Sequence, residues 1–234
     1  MKRFYKMVSA AQADGGFTVL LDGKPVKTPA KQSLLLPNEA LATLIVKEWA
    51  DQPDEIDPKT MRVMQIAVTA QDYVSANRAD IEGLILRYIE TDLLCYQVDQ
   101  PLALARRQQK TWGDLLAWFK QETGIDLKVK TDLIALSIPK ADLDRAKVIL
   151  SGMSDHLFAV FQLAVSLTGS FVLAYALIKN KASVDEIFKA AKLEELFMIE
   201  VHDLEKHGPD PVQGKEFDAF KRELEACDVF IRNL

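Results

Sequence analysis

The chain has 234 residues and a mass of 26.2 kDa, with 29 lysines and arginines against 34 aspartates and glutamates, a formal net charge of −5. That length allows one large domain or two modest ones, and 49% hydrophobic with 27% charged residues suits a packed chain rather than a disordered one. The acidic balance excludes an electrostatic grip on nucleic acid, which needs clustered positive charge, and disfavours attraction to an anionic membrane surface.

In chain order, strand character comes first. Phe17-Thr18-Val19-Leu20-Leu21 and Lys24-Pro25-Val26-Lys27-Thr28 flank Asp22-Gly23, a strong hairpin signal. Pro25 lacks an N–H and so marks an edge strand. Phe4 to Val8 and Ser33 to Leu36 are expected to supply further strands. Pro37 and Asn38 then open an amphipathic helix through Trp49, and Asp57-Pro58 repeats the same start signal. Apolar residues at threes and fours predict helix over Met61 to Tyr73, Ile81 to Tyr88, Leu102 to Lys110 and Thr111 to Phe119. Asp126 to Ile138 reads as a loop with room for a short strand. Ser183-Val184-Asp185-Glu186 is a capping box before a helix running to about His202. Gly208-Pro209-Asp210-Pro211 breaks the chain, and a last helix covers about Lys215 to Arg232. The fold class read from this is α+β, a small β-rich N-terminal domain (residues 1–75) followed by a larger all-helical C-terminal domain (residues 76–234).

From Leu157 to Ile178 no residue is charged, long enough in principle to cross a bilayer. Gln162, Ser166, Thr168 and Ser170 interrupt it, and Thr168-Gly169-Ser170 reads as a helix stop followed by an N-cap. A buried helical hairpin is therefore expected, with no stable membrane insertion. The start, Met1-Lys2-Arg3-Phe4-Tyr5, has no apolar h-region and is not a secretory signal.

Motifs for chemistry are sparse. No Gly-rich phosphate loop and no GxSxG elbow occurs, so neither nucleotide binding nor a serine nucleophile has support. Cys95 and Cys227, the two cysteines, read as separate buried thiols. Trp49, Trp112 and Trp118 lie in helical stretches and read as core. His156 reads as a partly buried first-turn residue rather than a ligand. Glu194, Glu195, Glu200, His202, Asp203, Glu205 and His207 form the one cluster able to suggest a metal-assisted hydrolase. Its spacings, Glu200-x-His202 and Glu205-x-His207, do not place ligands on one helical face, and a solvated acidic helix end is the simpler reading.

Several segments together carry a resemblance. They are Arg3-Phe4-Tyr5-Lys6, the run Leu21 to Ala30 (LDGKPVKTPA), Glu48-Trp49-x-x-Gln52 and Asp57-Pro58-x-x-Met61. Further along come Thr91 to Tyr96 (TDLLCY), the Trp112 to Trp118 stretch, Leu167-Thr168-Gly169-Ser170 and Leu193-Glu194-Glu195. In this order they resemble the family of assembly chaperones for the F1 portion of ATP synthase, specifically the chaperone of the F1 α subunit. The resemblance implies a β-rich domain joined to a helical one, no catalysis, no cofactor, and binding of unassembled F1 α subunit until the β subunit takes its place. The family's sensitive acidic position then falls on Glu195, with Glu194 next, as partner-binding residues. The chain departs from the family in having Val201-His202-Asp203 where relatives show Gln-Trp-Gly, and Gly113-Asp114 after Trp112. A bacterial cytoplasmic location is expected, or the mitochondrial matrix if a leader has been trimmed.

Overall fold

The structure is a computed structural model; it describes residues 1–132, 134–202 and 211–234, with the side chains of residues 202 and 211 left aside. The expected break at Gly208 to Pro211 thus lies almost wholly outside the described residues. Contacts divide the chain into two compact units. One comprises Met1–Arg78, Met153–Val160 and Ala226–Leu234, and the other Ala79–Gly152 and Phe161–Glu225.

The first unit begins with a three-stranded antiparallel sheet, β1 (Val8–Ala13), β2 (Gly16–Leu21) and β3 (Lys24–Pro25), in the order β1-β2-β3. The Asp22-Gly23 turn forms as the sequence predicts, with φ of 48° and 80°, the geometry whose twist matches the flanking strands. The Asp22 carboxylate also accepts hydrogen bonds from the backbone N–H of Lys6 and Met7, tying the incoming chain to the turn. Two strand expectations are corrected. The first strand is not residues 4–8 but Val8–Ala13, because a second two-residue turn, Asp14-Gly15, sets its register against β2 (Ala13 opposite Gly16, Val8 opposite Leu21). Ser33 to Leu36 makes only single bridges, Lys27 to Ser33 and Phe17 to Leu36. Gly16 is fixed by that second bridge, since a Cβ there would sit 2.2 Å from the Leu36 carbonyl oxygen.

Helix α1 (Glu39–Ala50) starts where Asn38 accepts a hydrogen bond from the Leu41 N–H, and it buries Leu41, Ala42, Ile45 and Trp49. Its last turn is a junction for sequence motifs. Glu48 accepts from the N–H groups of Val63 (2.7 Å) and Met64 (2.8 Å), capping α2 (Arg62–Val68). Buried Gln52 accepts from the Asp57 N–H and donates to the Glu48 carbonyl and the Thr60 hydroxyl. Tyr5 donates its hydroxyl to the Trp49 carbonyl at 2.7 Å and meets the indole edge-on at 5.3 Å. After α2 the chain passes through a wider π turn, Thr69–Val74, into α3 (Ser75–Glu90).

In the second unit, Leu102–Thr123 is one uninterrupted helix, α4, closed by Gly124 at φ 73°. Helix α5 (Lys140–Ser151) has no counterpart in the sequence reading; its apolar face is only Ala146 and Leu150 with Asp142. The apolar run does form two helices, α6 (Asp155–Thr168), of which the residues from Phe161 on belong to this unit, and α7 (Phe171–Ile178), split at Gly169 (φ 67°) with Ser170 capping Leu173. Phe171 packs edge-on against Phe161 (4.9 Å) and Phe119 (5.9 Å) at the centre of this unit. Among the described residues no helix is long and apolar enough to cross a membrane. The capping box at Ser183 and Glu186 is present, but the helix after it divides at Lys192 into α8 (Val184–Ala191) and α9 (Leu193–His202). The final helix, α10, spans Pro211–Arg232, with its residues from Ala226 on counted in the first unit.

Candidate functional site

Helix α9 brings its first turn against α4. Gln108 of α4 is wholly buried and uses both ends of its amide: its oxygen accepts from the Val98 N–H at 2.8 Å, and its nitrogen donates to Glu194 Oε1 at 2.6 Å. Glu194 is thereby oriented while half-buried. Burial pushes its pKa up, the neighbouring Glu195 charge adds to that, and the Gln108 hydrogen bond opposes both. Glu195 points elsewhere, to Lys192 Nζ at 2.8 Å, with a good part of its side chain in solvent.

These two carboxylates rim an open depression of about 560 Å³ floored by Leu93, Trp112, Ala191 and Ile199. Trp112 is fully buried, its indole N–H donating to the Ala190 carbonyl. Met198, which also lines it, is 45% exposed, and Val201 on the same helix is 56% exposed. Acidic groups over an apolar floor, beside uncovered apolar side chains, suit the contact of another protein surface better than the enclosure of a small substrate.

The remaining members of the acidic cluster do not converge. Glu200 pairs with Arg107 at 2.6 Å, so the three described carboxylates each face a different partner. Asp203, Glu205 and His207 lie outside the described residues, as does the side chain of His202; among the described residues no group of three potential ligands gathers around a metal-sized space. His156 is half-buried, stacked 6.3 Å from Phe230, with its pKa lowered by burial. Cys95 and Cys227 are both buried and form no disulfide. Trp118 is half-buried against Tyr175 rather than core.

Sequence reasoning missed Gln108, a polar residue on an amphipathic helix with no local mark of burial. It also left Asp92 unexplained. Asp92 is completely buried and accepts from the Leu94 N–H, the Ser170 hydroxyl (2.7 Å) and the Val172 N–H. It therefore joins two of the recognised segments, Thr91 to Tyr96 and Leu167 to Ser170, across the N-terminus of α7. Burial pushes its pKa up to about 6 in spite of those donors.

The family described as ATP12 chaperone protein matches residues 2–120. A mitochondrial protein of Schizosaccharomyces pombe, Protein atp12, is 25% identical over 205 residues, covering 82% of this chain and 70% of its own length. The crystal structure of Atp12 from Paracoccus denitrificans superposes with a TM-score of 0.89 at 27% identity, covering 99% of this chain and 97% of that one. The Atu1473 protein of Agrobacterium tumefaciens does so with a TM-score of 0.90 at 31% identity, covering 99% and 85%.

A small three-stranded sheet followed by helices, shared nearly end to end with these proteins, makes the chain a chaperone and not an enzyme. It belongs to the ATP12 chaperone family, the ATP synthase assembly chaperones that its motifs resemble.

Proposed function

We propose that this chaperone binds the unassembled α subunit of F1 ATP synthase and keeps it from aggregating until the β subunit takes its place. The client face is the rim of α9, with Glu195 and Glu194 as its charged contacts. The carrying observation is the pairing of half-buried Glu194 with exposed Met198 and Val201 on one short helix, acidic and uncovered apolar side chains side by side. A free α subunit exposes the apolar area meant for its neighbours, and covering such area is what prevents non-closing association. The compartment that fits is the bacterial cytoplasm, or the mitochondrial matrix by likeness to the S. pombe relative.

The test is light scattering of F1 α subunit diluted from denaturant, with and without the chaperone at equimolar concentration. Suppressed scattering, and recovery of α subunit with the chaperone from its native cell, support the proposal. Unchanged scattering, or recovery of a different chain alone, defeats it. Titration calorimetry with ATP and ADP is expected to show only heats of dilution.

A further inference from the structure

The two edges of the N-terminal sheet are treated differently. On the β3 side, Lys24 and Pro25 occupy the edge, and the chain that follows returns to close it: Leu34 N–H donates to the Val26 carbonyl, while Phe17 and Leu36 exchange two backbone hydrogen bonds. Lysine, proline and a covering segment are common devices against strand addition.

The β1 side has none of them. Its sequence, Val8-Ser9-Ala10-Ala11-Gln12-Ala13, has no charge, no proline and no bulge in its one-to-one register with β2. The Asp22 N–H donates to the Met7 carbonyl, so Met7, Ser9, Ala11 and Ala13 turn their backbone groups inward to β2. Val8, Ala10 and Gln12 therefore turn theirs outward, and among the described residues nothing bonds to them. Gln12 is exposed, and Val8 and Ala10 are half-exposed.

The flanks of this edge are charged and opposite in sign, with exposed Lys6 at one end and exposed Asp14 at the other. An antiparallel copy of the strand, related by a twofold axis at Ala10, pairs Val8 with Gln12 of the second copy. The same register carries Lys6 to Asp14 of that copy, twice by symmetry, and lays exposed Met7 beside Ala13. The small side chains Ser9, Ala10 and Ala11 leave the two backbones free to approach. We propose that β1 pairs with β1 of a second copy of this chain, joining two three-stranded sheets into one of six strands, an isologous contact.

The pairing is short, at the small end of specific interfaces, so a reversible dimer with a Kd of about 10–100 µM is expected. Sedimentation velocity from about 1 µM to about 1 mM protein reads it directly. Ala10→Pro removes one outward N–H and no bond to β2, so the variant should keep its circular dichroism and remain monomeric throughout. Lys6→Glu and Asp14→Lys each set like charges opposite one another, and each should weaken the dimer about tenfold. Mixed in equal amounts, those two variants present opposite charges again, and the dimer should return.

A parent chain that stays monomeric at the highest concentration overturns the proposal, as does an Ala10→Pro variant that dimerises like the parent. A mixture no tighter than either charge variant alone overturns it too. A monomeric parent whose protection of the α subunit is lost in Ala10→Pro assigns the edge to the client instead.

Discussion

The N-terminal sheet with its neighbouring helices and the rim of α9 both contain motif residues but use them in opposite ways. In the first region the charged and polar side chains end on backbone groups far away in sequence. Arg3 reaches the carbonyls of Ala50 and Gln52, Asp22 the N–H groups of Lys6 and Met7, and Glu48 those of Val63 and Met64. Each such bond pairs a main-chain group at a turn or near a helix end, where the helix's own ladder of bonds stops. On α9, Glu195 ends on a lysine three residues away and Glu200 on an exposed arginine, with solvent and apolar side chains around them. The difference teaches that most of what makes this family recognisable is folding apparatus, and that the carboxylates of α9 are the part left at the surface, where the proposed client contact falls.

That division is open to breaking from its buried side first. Gly16→Ala puts a Cβ into the Leu36 carbonyl, where backbone rather than a flexible side chain must give way. We expect loss of the cooperative melt, or a large fall in Tm, comparable to the worst core substitutions. Trp49→Ala removes a buried indole and its edge contact with Tyr5, at a cost of about 3–5 kcal/mol. Trp49→Phe should cost much less, because the indole N–H makes no hydrogen bond among the described residues. Denaturant titration distinguishes the pair; equal effects would show that Trp49 acts through something other than packing.

Asp92 sharpens the comparison, since it is a charged motif residue that serves only the scaffold. In Asp92→Asn one buried N–H loses its acceptor, whichever way the amide turns, at a cost of about 1–3 kcal/mol near pH 7. The pH dependence has a definite sign. Its folded pKa, about 6, lies above the ordinary aspartate value, so the folded state binds this proton more tightly. The Asp92 contribution is therefore full below the unfolded pKa of about 3.9 and is lost as pH rises through about 6. The stability gap between parent and Asp92→Asn should widen as pH falls across that window. A gap that narrows would mean the buried carboxylate is held charged by its donors instead.

How much of this was legible in the sequence follows from how local each signal is. The Asp22-Gly23 turn, the Asn38 and Ser170 caps and the Ser183 box are chemistry within four residues, and all are where the sequence places them. Strand β1 was misplaced because Val8-Ser9-Ala10-Ala11-Gln12-Ala13 has almost no strand propensity of its own and is held by its register with β2. Helix α5 went unread because its apolar stripe is short, and the break at Lys192 because no glycine or proline marks it. At the candidate site, Glu194 and Glu195 were nameable from their motif. Gln108, which orients Glu194 from a position 86 residues earlier, was not, because burial of a polar residue is decided by packing alone.

The smallest effects on melting are expected at those two glutamates, and there the comparison decides function. Glu195→Gln breaks an exposed pair with Lys192, worth about 0–1 kcal/mol, so its Tm should stay close to that of the parent. Glu194→Gln should be neutral or slightly stabilising near pH 7. Burial and the Glu195 charge raise the pKa of Glu194, so its ionised form is the disfavoured one in the folded state, and a neutral amide removes that cost while still able to accept from Gln108. Binding behaves differently. A carboxylate that meets an arginine or lysine of the client loses about 2–5 kcal/mol when its charge is removed. Adjacent helical positions point about 100° apart, so the two residues do not face the client equally. With Glu195 as the main contact, Glu195→Gln melts normally and fails to suppress aggregation of the α subunit, while Glu194→Gln protects nearly as well as the parent. The reverse order moves the contact to the carboxylate that Gln108 orients. If both variants melt and protect like the parent, the rim of α9 is not where the client binds, and the exposed Met198 and Val201 lose their explanation with it.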